Sequence, residues 1–215
     1  MNCFLEACCT SLEDALRAQE GGASRIELCE DLSCGGVSPS LELLEDVLQN
    51  VSIPVNVLVR PARKHFAPVP SISDFVPGEE ESDLLVSQIE SYKAAGAAGI
   101  VAGALLMDGS VDIESMKRIV ETASPLPLTF HKAFDLCKGP DSALEEIISL
   151  GCKRILTSGC APSAEEGLDC ISRLIRQADG RIIIMPGGHI RKTNLRNIIS
   201  ASGAAEYHAS AAFFD

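Results

Sequence analysis

The sequence predicts an α/β fold in which eight parallel strands and their helices close into a (β/α)8 barrel of the TIM type. Short apolar runs alternate with longer amphipathic segments along all 215 residues, which is typical of parallel βα units. Glycines follow several of the amphipathic segments, where left-handed helix ends are expected. Closing eight such units into a barrel is more economical than leaving them as an open sheet.

The elements follow one another in a regular order. The predicted strands span residues 3–8, 25–29, 55–60, 99–103, 128–131, 154–157, 181–185 and 206–209. The predicted helices span residues 11–19, 41–49, 83–95, 113–123, 142–150, 164–178 and 192–201. Only five residues remain after Ser210, so the eighth helix is missing. Either the chain is cut short there or another subunit covers the gap, and Phe213 and Phe214 suit both alternatives.

Composition limits the classes of function. A hydrophobic content of 46% suits one globular domain over residues 1–215. The net charge of −12 argues against nucleic acid or an anionic membrane as the main partner. The start of the chain has neither the basic nor the apolar region of a signal peptide. Nine cysteines without a CxxC pair then indicate free thiols in a reducing, cytoplasmic compartment.

Residues 61–82 do not fit a short loop. Four prolines and a glycine interrupt this stretch, and an acidic run, Glu79 to Glu81, follows them. A loop of this length is typical of a lid or a mobile segment. The alternative is a solvated excursion, which the acidic run favours. The basic portion containing Arg63, Lys64 and His65 is expected nearer the barrel mouth, within reach of an anionic ligand.

Strand parity predicts which side chains enter the barrel, because alternate residues of a barrel strand face the interior. The predicted interior side chains of the first three strands are Glu6, Cys8, Arg25, Glu27, Cys29, Asn56, Leu58 and Arg60. His131 and His208 end strands five and eight and also face inward. For Arg25 and Glu27 a buried ion-pair network that sets strand register is as plausible as a functional role. For Arg60 and His131, at C-terminal strand ends, function is favoured.

A pair of cysteines is the first candidate site. Cys8 and Cys29 end adjacent inward-facing strands, which lie roughly 4.8 Å apart. Two thiolates at that separation can hold one soft ion such as Cu(I). Cys34, in a glycine-rich loop, is a candidate third ligand. The alternative is that these cysteines are ordinary small buried side chains.

A pocket for a small anion is the second candidate. The Gly187-Gly188 turn precedes a predicted helix and, with Ser210, forms a candidate anion site. Arg60 is a candidate clamp, and His131 or Glu27 a candidate proton carrier. Asp135 is expected to orient the His131 imidazole, either for acid–base chemistry or as a structural pair. This combination predicts an enzyme that acts on a phosphate or carboxylate substrate. A scaffold that binds neither metal nor small molecule is a third alternative.

Nine motifs in order along the chain resemble those of the CutC family of copper-homeostasis proteins. They are Leu5-Glu-Ala-Cys8, Gly22-Ala-Ser-Arg-Ile-Glu-Leu-Cys29, Gly35-Gly-Val-Ser-Pro-Ser40, Val59-Arg-Pro61, Asp108-Gly109, Thr129-Phe-His-Lys-Ala-Phe-Asp135, Arg154-Ile-Leu-Thr-Ser-Gly159, Ile184-Met-Pro-Gly-Gly188 and Tyr207-His-Ala-Ser210. The resemblance implies a TIM-type barrel, a cytoplasmic location, self-association as a dimer or tetramer, and Cu(I) binding. It also implies that Cys8 and Cys29 match the copper ligands proposed for animal members. The chain departs from the family pattern in the loop after Arg60 and at His189, where glycine is commoner.

Overall fold

Eight parallel strands form the centre of the protein in a computed structural model that describes residues 3–61 and 70–214. The strands run in the order β7-β6-β5-β4-β3-β2-β1-β8. A parallel bridge between Gly187 and His208 then brings the end of β7 beside β8 and closes the barrel. The strands are β1 (Phe4–Cys9), β2 (Arg25–Leu28), β3 (Val55–Leu58), β4 (Gly99–Ala102), β5 (Leu128–Phe130), β6 (Arg154–Thr157), β7 (Ile183–Pro186) and β8 (Glu206–Ser210). The predicted TIM-type barrel is therefore confirmed.

Seven α-helices surround the strands in the described part of the chain. They are α1 (Leu12–Glu20), α2 (Leu41–Asn50), α3 (Glu79–Ala95), α4 (Ile113–Ala123), α5 (Pro140–Ser149), α6 (Leu168–Ala178) and α7 (Leu195–Ser202). A short 3-10 turn, Ala211–Phe213, follows β8, which confirms that the eighth helix is missing. Phe213 and Phe214 are buried, and Phe214 packs beside Gly21 at the end of α1. None of these helices is long and apolar enough to cross a membrane.

The acidic run is the main departure from the predicted elements. Residues Glu79 to Glu81 form the first turn of α3, four residues before its predicted start, and not a solvated excursion. Negative side chains are stabilising at a helix start, where the helix dipole is positive. The Glu81 carboxylate also accepts a hydrogen bond from the Gly78 N–H at 3.3 Å. The basic residues Arg63, Lys64 and His65 lie outside the described residues.

Two separate apolar clusters confirm the strand parity. The larger lies between strands and helices and takes the alternate residues Ala7, Cys9, Ile26, Leu28, Val55, Val57 and Val59. The smaller lies inside the barrel and consists of Cys8, Cys29, Leu58 and Val101. The β1–β2 register, in which Cys8 pairs with Glu27, keeps these inward residues together. The barrel interior is therefore where unusual side chains meet.

The turn that closes the barrel contains two glycines. A Cβ on Gly187 would lie 2.5 Å from Leu156 Cδ1, so the Leu156 side chain would have to move. Gly188 has a φ of +108°, which side chains with a Cβ rarely adopt. His189 follows with a φ of 55°, the left-handed conformation that costs residues other than glycine about 1–2 kcal/mol. The turn therefore holds one strained residue at the cavity rim.

Replacing His189 by glycine is expected to raise the free energy of unfolding by about 0.5–1 kcal/mol. The gain in the native turn is about 1–2 kcal/mol, but glycine also adds freedom to the unfolded chain, which offsets part of it. Urea unfolding of both proteins measures the difference. His189→Ala is the control, because alanine keeps the backbone strain and should show little gain. Equal stabilisation by both variants would contradict the explanation.

Candidate functional site

A cavity of about 360 Å³ opens at the C-terminal end of the barrel. Its walls come from the ends of β1, β2, β3 and β8 and from the loops after β3, β5 and β7. Among the residues that line it are Cys8, Glu27, Cys29, Arg60, His131, Gly188, His208 and Ser210. This is the face of a TIM barrel on which active sites form. The structure thus brings most of the candidate residues to one cavity.

The two predicted thiols meet at the cavity wall. The Cys8 Sγ and Cys29 Sγ atoms are 3.6 Å apart, and both side chains are buried. Cys29 Sγ also lies 3.8 Å from the Cys9 carbonyl. The hydrogen bond with Cys29, together with burial, raises the pKa of Cys8 well above that of an ordinary thiol. The Cys8 thiol is therefore protonated at neutral pH. The two sulfur atoms are close enough for both to bind one ion.

His208 completes a compact group of potential ligands. One ligand atom each from Cys8, Glu27 and His208 all lie within 4.8 Å of one another. His208 Nδ1 is 2.9 Å from Glu6 Oε1, so Nε2 is the nitrogen that remains for a ligand. Burial lowers the pKa of His208, but the Glu27 charge and hydrogen bonds with Cys8 and Glu6 raise it well above its usual value. A carboxylate behind an imidazole is a common arrangement at metal sites.

Glu27 is a buried carboxyl group whose Oε2 atom has no hydrogen-bond partner in the described part of the protein. Burial raises the pKa of Glu27 to about 7, although the neighbouring His208 charge works in the opposite direction. Buried polar atoms are nearly always hydrogen-bonded, so an unpartnered one on a residue that lines a cavity calls for a specific explanation. Glu27 therefore differs from the other buried carboxylates of the barrel.

A network of ion pairs lies deeper in the barrel. Arg25 Nε is 2.5 Å from Glu6 Oε2, and Arg25 Nη2 is 2.6 Å from Glu206 Oε2. Arg154 Nε approaches the same Glu206 oxygen at 2.7 Å. Burial raises the pKa of Glu6, but His208 and Arg25 together lower it to about 2. Arg25 is thus part of a buried ion-pair network of the kind expected to set strand register. Among the described residues, Glu27 makes no hydrogen bond to a member of this network.

Arg60 and His131 reinforce the cavity wall. Arg60 Nη1 donates to the Cys34 and Gly36 carbonyls at 2.9 and 2.8 Å, and its guanidinium lies 4.9 Å from the Phe75 ring centre. His131 Nδ1 accepts from the Ala133 N–H at 3.3 Å. Burial and the Arg60 charge lower the pKa of His131 to about 3. His131 is therefore neutral at physiological pH; because Nδ1 accepts from Ala133, Nε2 carries the proton and is a hydrogen-bond donor.

Asp135 does not orient His131, contrary to the sequence prediction. Its carboxylate accepts hydrogen bonds from the Thr157 hydroxyl, the Ser158 N–H and the Cys160 N–H. It also pairs with Lys132 Nζ at 2.8 Å. These contacts fix the loop after β6, because one carboxylate can accept several donors. Sequence proximity to His131 was misleading because the 3-10 turn Lys132–Leu136 directs Asp135 toward β6.

The remaining candidates occupy different surroundings. The Cys34 thiol donates to the Asp31 carbonyl at 3.2 Å, and the residue is not among those that line the cavity. Ser210 lines the cavity and pairs with Cys8 in the β1–β8 register. Gly188 also lines it, whereas the Gly187 N–H donates to the Thr157 carbonyl at 2.9 Å. Gly187 therefore uses its N–H in barrel closure and presents no N–H to an anion.

His208 is the residue of the candidate site that sequence reasoning left without a role. Parity placed it inside the barrel, but no motif connected it with Cys8. In the β1–β8 register His208 pairs with Glu6, and paired residues point to the same face. His208 therefore points into the barrel beside Glu6 and Cys8, which both face inward on β1. That register becomes visible only when β8 returns to β1.

A family model described as the CutC family matches residues 3–213. The chain belongs to the CutC family. It is 46% identical over 208 residues to the human copper homeostasis protein cutC homolog, covering 97% of this chain and 73% of the human one. It is 39% identical over 211 residues to a family protein CutC of Chromobacterium violaceum, covering 98% and 82% of the two chains.

The fold agrees with a solved structure of this family. The crystal structure of the putative copper homeostasis protein CutC from Streptococcus agalactiae superposes with a TM-score of 0.88 at 27% identity. The match covers 98% of this chain and 99% of that one. The family resemblance drawn from the sequence motifs is therefore confirmed.

Proposed function

We propose that this protein acts in copper homeostasis and binds Cu(I) as cargo through Cys8 and Cys29. The single observation that carries the proposal is the 3.6 Å approach of the two Sγ atoms at the wall of the barrel-mouth cavity. The names of the human and Streptococcus agalactiae relatives support the copper role. Thiolates are soft ligands that suit ions such as Cu(I).

The remaining donors fit a third ligand at this pair. His208 offers an imidazole nitrogen in the same group as Cys8, and Glu6 holds the other side of its ring. Imidazole also suits copper, whereas the Glu27 carboxylate is a hard ligand better matched to other ions. We therefore place His208 as third ligand ahead of Cys34, whose thiol is engaged with the Asp31 carbonyl. Binding displaces the Cys8 proton and also the proton of His208, whose pKa is raised, so the apparent affinity is expected to rise with pH.

Cellular location and assembly belong to the same proposal. All nine cysteines are free thiols, as suits a reducing compartment such as the cytoplasm. A homo-oligomer, as a dimer or tetramer, follows from the family resemblance. Light scattering on the purified protein tests the assembly, and a monomer at micromolar concentration would contradict it.

Changing both thiols, as Cys8→Ser/Cys29→Ser, is expected to abolish tight Cu(I) binding. Losing a partner outside the ligand shell already costs about 10–100-fold in metal affinity, and loss of two ligands costs more. An anaerobic competition titration with a chromophoric Cu(I) chelator measures the affinity of the reduced proteins. Wild type should take up one tight equivalent that the double variant lacks.

The matched control is Cys137→Ser/Cys152→Ser, which removes two buried thiols from the cluster between barrel and helices. Its Cu(I) affinity should equal that of wild type. His208→Ala and Cys34→Ser separate the two candidate third ligands, and only the first should weaken binding. Unchanged affinity in Cys8→Ser/Cys29→Ser would overturn the copper site.

The size of the cavity favours a second candidate function. A single ion occupies a small part of about 360 Å³, a volume in the range of small-molecule sites. The alternative is an enzyme that acts on a small anionic substrate, with Glu27 as proton carrier and Arg60 in the wall. Neutral His131 would donate a hydrogen bond from its Nε2–H in such a site and would not act as an acid.

A further inference from the structure

We propose that the cavity binds a small organic anion that also carries a hydroxyl or amine group. The anionic head would meet Lys132 and Arg191 at the rim, and the hydroxyl or amine would donate to Glu27 at the floor. Like the second candidate function, this inference places a small anionic ligand in the cavity. It requires neither copper nor turnover.

At the floor of the cavity, the Glu27 carboxyl group has an oxygen atom without a hydrogen-bond partner in the described residues. Glu27 is only 5% exposed, and its Oε2 atom has no partner within residues 3–61 and 70–214. Leaving a buried polar atom without a partner is unfavourable, so such atoms are rare unless a ligand supplies the partner. The ionised Glu27 carboxylate accepts hydrogen bonds, so a hydroxyl or amine on the ligand is the matching group, and a hydroxyl can also accept from the protonated form.

The rim carries cations although the chain as a whole has a net charge of −12. Lys132 and Arg191 both line the cavity and are exposed. Lys132 Nζ is held by Asp135 at 2.8 Å and Ser158 at 2.9 Å, which leaves one of its three N–H donors for another acceptor. Asp135 offsets part of the Lys132 charge, and exposed Arg191 supplies a second positive charge at the same rim, which favours an anionic group.

The turn at Gly188 gives the ligand access to this ammonium group. A Cβ at Gly188 would lie 3.4 Å from Lys132 Nζ, so a side chain there would cover the cation. Arg191 Nη1 donates to the Ile190 carbonyl at 3.0 Å, which uses one of the five N–H groups of the guanidinium. The buried guanidinium of Arg60 adds a third positive charge on the wall.

Between floor and rim the walls are apolar. Leu58, Phe75, Leu156 and Ile190 all contribute to the lining. A predominantly apolar pocket with a few convergent polar groups is typical of small-molecule sites. The ligand is therefore a short organic molecule with an anionic end and a donor end. Hydroxycarboxylates and polyol phosphates share this chemistry.

Calorimetric titration of the reduced, copper-free protein tests the inference with four probes. D-Glycerate and sn-glycerol 3-phosphate carry both groups, glycerol lacks the anion, and inorganic phosphate lacks the carbon chain. At least one of the two organic anions is expected to bind about tenfold or more tightly than glycerol and phosphate, because a hydrogen bond to a charged group contributes about 1.5–3 kcal/mol. Whichever organic anion binds identifies the head group.

Variants assign the two ends of the ligand. Lys132→Gln/Arg191→Gln is expected to weaken the organic anion about tenfold or more. Lys117→Gln/Arg118→Gln, on the outer face of α4, removes the same charge and should leave affinity unchanged. Glu27→Gln should weaken the organic anion but leave inorganic phosphate unaffected, because only the former reaches the floor.

Two results would overturn the inference. One is the absence of binding of either organic anion up to about 10 mM, the weak end of specific affinity. The other is an unchanged affinity in Lys132→Gln/Arg191→Gln. The anion titrations use copper-free protein, and the Cu(I) titrations of wild type and Cys8→Ser/Cys29→Ser contain no organic anion, so each site is tested by its own ligand. Failure of the copper site and failure of the anion site are therefore separate results.

Discussion

Replacing Arg25 by methionine is expected to lower the free energy of unfolding by about 3–5 kcal/mol. Arg25 lies between Glu6 and Glu206 at 2.5 and 2.6 Å and is 3% exposed. Methionine fills similar space beside Met185, whose Sδ already lies 3.5 Å from Arg25 Nη2. The loss therefore arises from the buried carboxylates that remain and not from a cavity. Glu206 keeps Arg154, so Glu6 carries most of the penalty.

Urea unfolding at pH 7 measures the effect. Arg17→Met, which breaks an exposed pair with Asp14 on α1, is the control and should cost less than about 1 kcal/mol. Adding Glu6→Gln to Arg25→Met should restore part of the lost stability, because the uncompensated charge is then gone. A loss below about 1 kcal/mol for Arg25→Met would show that the ion pairs are dispensable.

Replacing Glu27 by glutamine is expected to stabilise the protein increasingly as the pH rises. The pKa of Glu27 is raised from an ordinary value of 4.5 to about 7 in the folded protein. Its contribution to stability is thus fully present below pH 4.5 and is lost as the pH rises toward 7 and above. Glutamine does not titrate, so the difference between variant and wild type should grow by about 3 kcal/mol across this range.

Urea unfolding of both proteins at pH 4.5, 6 and 8 measures that difference. Glu45→Gln, exposed on α2, is the control for simple charge removal, and its difference from wild type should stay nearly constant. A difference for Glu27→Gln that is flat with pH would mean that the folded protein does not penalise the Glu27 charge. It would also remove the electrostatic reason to regard this carboxyl group as unusual.

Replacing Glu27 is expected to have opposite effects on stability and on ligand binding, which a purely structural residue would not show. If the carboxyl group serves a ligand, Glu27→Gln should make the protein more stable at pH 8 and at the same time weaken the organic anion. Residues at functional sites commonly reduce stability in exchange for binding. Arg25, by contrast, should affect stability first, since it lies below the cavity and does not line it.

Patterns in the sequence were enough to predict the barrel, its inward-facing residues and the thiol pair. Each of these depends on a local period: apolar alternation specifies the strands, and parity along β1 and β2 places Cys8 and Cys29 inside. The motifs specified the family in the same local way. Adjacent strands in a βα barrel are also adjacent in sequence, so the approach of Cys8 to Cys29 needed no long-range information.

Contacts between polar residues of distant strands depend on the tertiary structure. His208 joins Glu6 and Cys8 only because β8 returns to β1 across 202 residues of chain from Glu6 to His208. Asp135 turns away from nearby His131 to hold the loop after β6, and Arg60 contacts the loop that carries Cys34. Hydrogen bonds depend on distance and angle within a few tenths of an ångström. A residue pattern encodes which face a side chain occupies, but barrel closure determines its partners.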